Sequence, residues 1–170
     1  MISRTARPVS VPLMGVLAVM TVLGVGCGSS AEAPSEGSRQ EQVARKGASV
    51  MPFDLDRTTH RFVPATDGLL EEVVSDAPTD ADQVRLIREH LTQEAGRFRR
   101  GDYADPASIH GSAMPGLKEL SAGASRIEIT YTDRPDGAAV RFRTTDPALV
   151  DALRTWGAAQ VTDHGEHAEH

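Results

Sequence analysis

The sequence predicts an α+β fold: a two-layer sandwich in which a four-stranded antiparallel sheet is covered by two main helices, in the order β-β-α-β-β-α. Two observations carry this expectation. Two pairs of alternating stretches are each split by a glycine-containing turn, and each pair is followed by a segment with apolar residues at helical spacing.

The first hairpin pairs residues 58–63 with 69–75 across Thr66, Asp67 and Gly68. Alternation sets Thr58, His60 and Phe62 on one face and Thr59, Arg61 and Val63 on the other, so the face that buries Phe62 also turns His60 inward. Thr79 and Asp82 form a capping-box start, after which Val84, Ile87, Leu91, Ala95 and Phe98 recur at helical spacing until Gly101. His90 falls on the flank of that stripe, beside Leu86 and near Glu94. Residues 102–116 collect Asp102, Asp105, Pro106, Gly111, Pro115 and Gly116 and read as a long loop with room for one helical turn, followed by a short helix over 117–122.

The second hairpin places Ile127, Ile129 and Tyr131 on one face of 126–132, and Val140 and Phe142 on the matching face of 139–143. Pro135, Asp136 and Gly137 supply the turn. Asp146 and Pro147 read as N-cap and first residue of a last helix whose buried stripe is Leu149, Leu153, Trp156 and Gln160.

The N-terminus reads as an export signal. Arg4 and Arg7 precede an uncharged, largely apolar stretch over 9–26, and the only cysteine of the chain, Cys27, stands where that stretch stops, between Gly26 and Gly28. This predicts a signal peptide over 1–26, lipidation of Cys27, and a membrane-anchored lipoprotein held in the periplasm or on the outer face of the cell membrane. An uncleaved N-terminal anchor is the alternative. Residues 27–50 are nearly devoid of apolar side chains and read as a lipidated cysteine with a flexible polar tether, leaving one domain over 51–163 and a His-rich tail over 164–170.

Composition narrows the chemistry. A lone cysteine excludes an internal disulfide and the cysteine motifs of zinc and c-type haem sites. The formal net charge is −6, and the signal stretch holds arginines but no acid, so the exported part is more acidic still. Nucleic acid is therefore not an expected partner, and no Gly-rich phosphate loop calls for a nucleotide.

Histidine is the main chemical resource, and imidazole is the commonest metal ligand. His60, His90 and His110 are the candidate ligands for copper or zinc, with Met114 as a thioether four residues after His110 that suits copper(I). His164, His167 and His170 recur every three residues among acids and form an auxiliary metal-binding tract. The bland alternative for His60 is a core histidine bonded to backbone or to Asp56. An acid-base set of Asp102, Asp105 and His110 is the thinner, enzymatic option.

Five blocks stand out: Pro52-Phe53-Asp54-Leu55-Asp56-Arg57-Thr58-Thr59-His60, Ile87-Arg88-Glu89-His90-Leu91, Asp105-Pro106-Ala107-Ser108-Ile109-His110-Gly111, Met114-Pro115-Gly116-Leu117 and Asp163-His164-Gly165. Together, over residues 51–165, they resemble a family of small exported bacterial proteins often labelled aspartate carbamoyltransferase. The resemblance implies that His60, His90, His110 and His164 belong to family motifs. It also implies a histidine just before the aromatic residue of the last helix, where this chain has Thr155 before Trp156. No catalytic residue carries over. The enzyme of that name is a larger, two-domain protein with a Ser-Thr-Arg-Thr loop for carbamoyl phosphate, and here only Arg57-Thr58-Thr59 and Arg143-Thr144-Thr145 approach it.

The leading expectation is thus a non-enzymatic, exported lipoprotein that binds a transition metal for sequestration or handover. The alternatives are an envelope interaction module with structural histidines and, last, a small enzyme.

Overall fold

The structure, a computed structural model, describes residues 35–170. The expected signal peptide and the lipidation site Cys27 lie outside the described residues. Among the described residues, no helix is long and apolar enough to cross a membrane.

The fold is α+β, with one mixed five-stranded sheet and five α-helices among the described residues. Strands β1 (Thr58–Ala65) and β2 (Gly68–Ser75) form the first hairpin, and β3 (Glu128–Arg134) and β4 (Gly137–Arg143) the second. The hairpins join through antiparallel β2–β4 pairing, which makes β2 a central strand. Helices α2 (Ala81–Arg99) and α5 (Pro147–His164) are the two expected main helices. Asp80, rather than Thr79 of the expected capping box, caps α2, its side chain accepting from Gln83 N–H, and the Asp146 side chain caps α5 as expected by accepting from Ala148 N–H.

Three features correct the sequence expectation. Helix α1 (Glu36–Val50) occupies most of the stretch read as a tether, and it packs on α3 (Ala104–His110) and α5. Its buried stripe is only Val43 and Gly47, so hydropathy gives almost no sign of it. The helix gains by closeness instead: a Cβ on Gly47 would stand 3.0 Å from a Leu55 methyl carbon. Second, 102–116 is more ordered than a loop, with α3 followed by α4 (Leu117–Gly123). Third, the tail is folded. After α5, Gly165 turns the chain at positive φ, and β5 (Ala168–Glu169) adds a parallel edge strand to β1 in the register His60↔Ala168 and Arg61↔Glu169. Strand order becomes β3-β4-β2-β1-β5. Backbone groups pair whatever side chains they carry, so a polar tail is no bar to a strand.

The core lies between the helices and one sheet face. Trp156 of α5 is fully buried and meets Phe62, Phe98, Tyr103 and Phe142, mostly edge to face, at centroid separations of 5.7 to 6.2 Å. The expected alternation of β1 holds: Thr58, His60 and Phe62 are all buried.

Gly116, just before α4, has φ of +79°, and a Cβ there would stand 2.4 Å from the Ala152 carbonyl oxygen of α5. Gly116→Ala is therefore expected to lower unfolding free energy by about 2 kcal/mol or more, read by denaturant unfolding. A variant as stable as the parent would show that α4 and α5 are not in this contact.

Candidate functional site

The inward face of the sheet is not uniformly apolar. Antiparallel register places Glu71 of β2 opposite Phe62 on one side and Val140 on the other, so its carboxyl group enters the core layer. On α2, Glu94 lies seven residues after Ile87 and four before Phe98, within the buried stripe, and is itself 7% exposed. The two glutamates meet four histidines around one partly open cavity of about 50 Å³: His60 from β1, His90 from α2, His110 from α3 and His164 from α5. Trp156, Gln160 and Asp105 complete its polar lining.

The imidazoles fall into two groups. His164 stacks on His60 with centroids 5.1 Å apart and planes 6° from parallel, and it meets the His110 ring edge-on at 5.0 Å. His90 stands across Phe53, which is 5.6 Å from His90 and 6.0 Å from His60. The expected trio of His60, His90 and His110 thus shares the cavity, but the tight cluster is His60, His164 and His110. His164, which the sequence assigns to a tail, ends α5 and belongs to this cluster.

His110 is oriented by a carboxylate. Its Nδ1 lies 2.8 Å from Asp163 Oδ2, and the Arg39 guanidinium of α1 forks onto both Asp163 oxygens at 3.0 and 2.6 Å while also donating to the His110 carbonyl at 2.6 Å. Burial alone would raise the Asp163 carboxyl, but the hydrogen bonds from Arg39 and His110 hold it below its ordinary value. It therefore accepts a proton-bearing Nδ1 and leaves the His110 Nε2 lone pair free.

Electrostatics favours neutral forms throughout. Burial, with neighbouring His90, His167 and His110, lowers His60 to about 4. Burial also lowers His164 well below its ordinary value, and lowers His90 and His110. Burial pushes Glu71 up to about 7, and burial together with the nearby Asp105 raises Glu94. Four cavity-lining atoms have no protein partner: His60 Nδ1, Glu71 Oε2, Trp156 Nε1 and Gln160 Oε1. An unpaired buried polar atom costs about 1 to 3 kcal/mol, so four around one space call for a water or ligand as partner.

The other expected residues separate. Met114 is buried among apolar side chains and does not line the cavity, whereas Met51 does. His170 is exposed, its Nδ1 3.4 Å from the Phe62 carbonyl oxygen, and His167 is half-buried with Nε2 3.7 Å from Asp56 Oδ1. The bland alternative for His60 is not met at Nδ1, and it is His167 that approaches Asp56. Asp102 accepts from Ala104 N–H at the start of α3, and Asp105 pairs with Arg97 at 2.6 Å. Those acids are tied up locally, and the carboxylate partner of His110 is Asp163. The two Arg-Thr-Thr stretches are likewise occupied: Arg57 pairs with Asp80 and Arg143 with Asp67. Among the described residues, no three His, Cys, Asp or Glu side chains are already arranged to hold a metal ion.

No family model, curated protein or solved structure matches the chain.

The cavity gives a signed pH dependence. Glu71 is raised from 4.5 to about 7, so its contribution to stability is complete below pH 4.5 and is lost as pH rises through 7. His60 acts in the opposite sense: lowered from 6.5 to about 4, it contributes above pH 6.5 and loses that contribution as pH falls through 4. Glu71→Gln, which mimics the protonated acid, is expected to stabilise the metal-free protein at pH 8 by on the order of 2 kcal/mol and to change little at pH 4. Denaturant unfolding at both pH values checks this, and equal effects at the two would place Glu71 in water.

Proposed function

We propose that this chain is an extracytoplasmic lipoprotein that binds a transition metal, copper or zinc, in its interior cavity, for sequestration or handover rather than turnover. The observation that carries the reading is the convergence of four imidazoles and three carboxyl groups, from five separate elements, on one small space of about 50 Å³. The export signal and Cys27 support the location, because they match the pattern of a lipid-anchored precursor.

His60, His110 and His164 are the primary ligands in this reading. Two imidazoles on one tetrahedral ion place their ring centroids about 5 Å apart, since metal–nitrogen distances are about 2 Å. The His60–His164 and His110–His164 separations agree with that spacing. Imidazole lone pairs lie in the ring plane, so the stacked His60 and His164 rings would have to reorient before both could bind one ion. Neutral imidazoles are the metal-binding form, and the depressed pKa values supply it without deprotonation at neutral pH. Glu71, His90 and Met51 line the same space and are available for the remaining position.

Asp163 orients rather than binds. Asp163→Asn is expected to weaken metal binding about 10- to 100-fold, the usual effect of removing a carboxylate behind a ligating histidine. Unchanged affinity would remove His110 from the ligand set.

The direct test is calorimetric titration of the metal-free protein with Cu(II) and Zn(II). One tight equivalent is expected, retained in the His167→Ala/His170→Ala double variant and lost in His60→Ala and in the milder His164→Gln. Binding that depends only on His167 and His170 would leave a surface tract and no interior site.

A further inference from the structure

A second depression lies beside the interior cavity and shares two of its residues. It is a groove of about 410 Å³ between α1, the 3-10 turn Leu55–Arg57 and the C-terminal turn Gly165–His167. Its floor includes His60 and His164, the stacked pair of the inner cluster. Its rim carries Glu41, Asp56 and Glu166, all exposed, together with His167. No lysine or arginine lines it.

We propose that this groove is the access route of the interior site, an acidic vestibule that collects a divalent cation and delivers it to His60 and His164; the proposal rests on the metal-binding reading above. Three independent features converge. The groove lining carries only acids as formal charges, although Glu41 is paired at 3.8 Å with Arg45 just outside it, and a cleft lined by one sign concentrates the opposite ion and accelerates its arrival. His60, 4% exposed and with Nδ1 lacking a protein partner, stands in the wall that divides groove from cavity, so an ion in the groove is already beside an inner ligand. His167 and Asp56, at 3.7 Å, provide an imidazole and a carboxylate at the rim, the mixed donor pair that suits a borderline cation in transit.

The chain ends build this route. Glu41 comes from α1, Asp56 from the 3-10 turn before β1, and Glu166 and His167 from the segment after α5. Arg39 of α1 is engaged on Asp163, and Arg45 pairs with Glu41 at 3.8 Å, so among the described residues Asp56 and Glu166 are the rim acids with no lysine or arginine partner.

The chain carries its own reporter. Trp156 is the only tryptophan and lines the inner cavity, so Cu(II) arriving there quenches its fluorescence. Stopped-flow mixing of the full metal-free chain with Cu(II) over a range of ionic strengths is the experiment, comparing the parent with the Glu41→Gln/Asp56→Asn/Glu166→Gln variant. All three acids are exposed, so the isosteric amides preserve the fold. The variant is expected to bind about tenfold more slowly at low salt, with a flattened salt dependence and the same final quenching amplitude. An identical rate and salt dependence, with quenching intact, would overturn the vestibule and leave the interior site standing. Quenching absent from the parent, or undiminished in His60→Ala, would remove the interior site and the vestibule with it.

Discussion

Glu71 imposes the constraint around which the interior is arranged. It stands on the core-facing side of a strand with a partner on each edge, flanked in register by Phe62 and Val140, and its Oε2 is buried without a protein partner. A buried carboxylate without compensation is unsustainable, so the group shifts toward its protonated form and needs polar company. The company is a second buried glutamate on the facing helix and four histidines held neutral by the same desolvation. A small domain that accepts this many polar groups in its core forgoes the stability that leucines at those positions would contribute. Such a pattern is the basis of the proposal that a cation binding imidazole and carboxylate together occupies this space.

The ends of the folded part complete the site. Arg39 holds Asp163, Asp163 orients His110, and Arg39 also caps the His110 carbonyl, so one side chain of α1 fixes a residue of α3 against the last turn of α5. β5 then fastens the C-terminal turn beside β1, directly opposite His60. These contacts are polar and join segments far apart in sequence, and they hold α1 and the tail in place although both contribute little apolar surface.

The elements with strong periodicity were legible in the sequence. Both hairpins, the helix from Ala81 and the last helix with Asp146 and Pro147 at its start follow from alternation, turn residues and apolar spacing, with the cap of the first helix one residue off at Asp80, and His60 faces inward as Phe62 predicts. Helix α1 was not legible, because Val43 and Gly47 are too few for an apolar stripe, and β5 was not, because two residues carry no period. The site was half legible. Histidine content points to His60, His90 and His110, yet β2 reads Leu-Glu-Val on both faces, with Leu69, Glu71 and Val73 alternating against Leu70, Glu72 and Val74. Only the pairing with Phe62 decides that Glu71 faces in. Glu94 sits on the stripe of Ile87, Leu91 and Phe98, where helical spacing alone would have placed it in the core.

The central claim is that a metal binds inside the domain, at the His60, His164 and His110 cluster. Anomalous diffraction from crystals of the protein grown with Zn(II), collected on either side of the zinc edge, tests it most directly. The account predicts one strong peak within the cavity, at bonding distance from His164 and at least one of His60 and His110. Peaks confined to His167 and His170 at the surface, with none in the cavity, would contradict it.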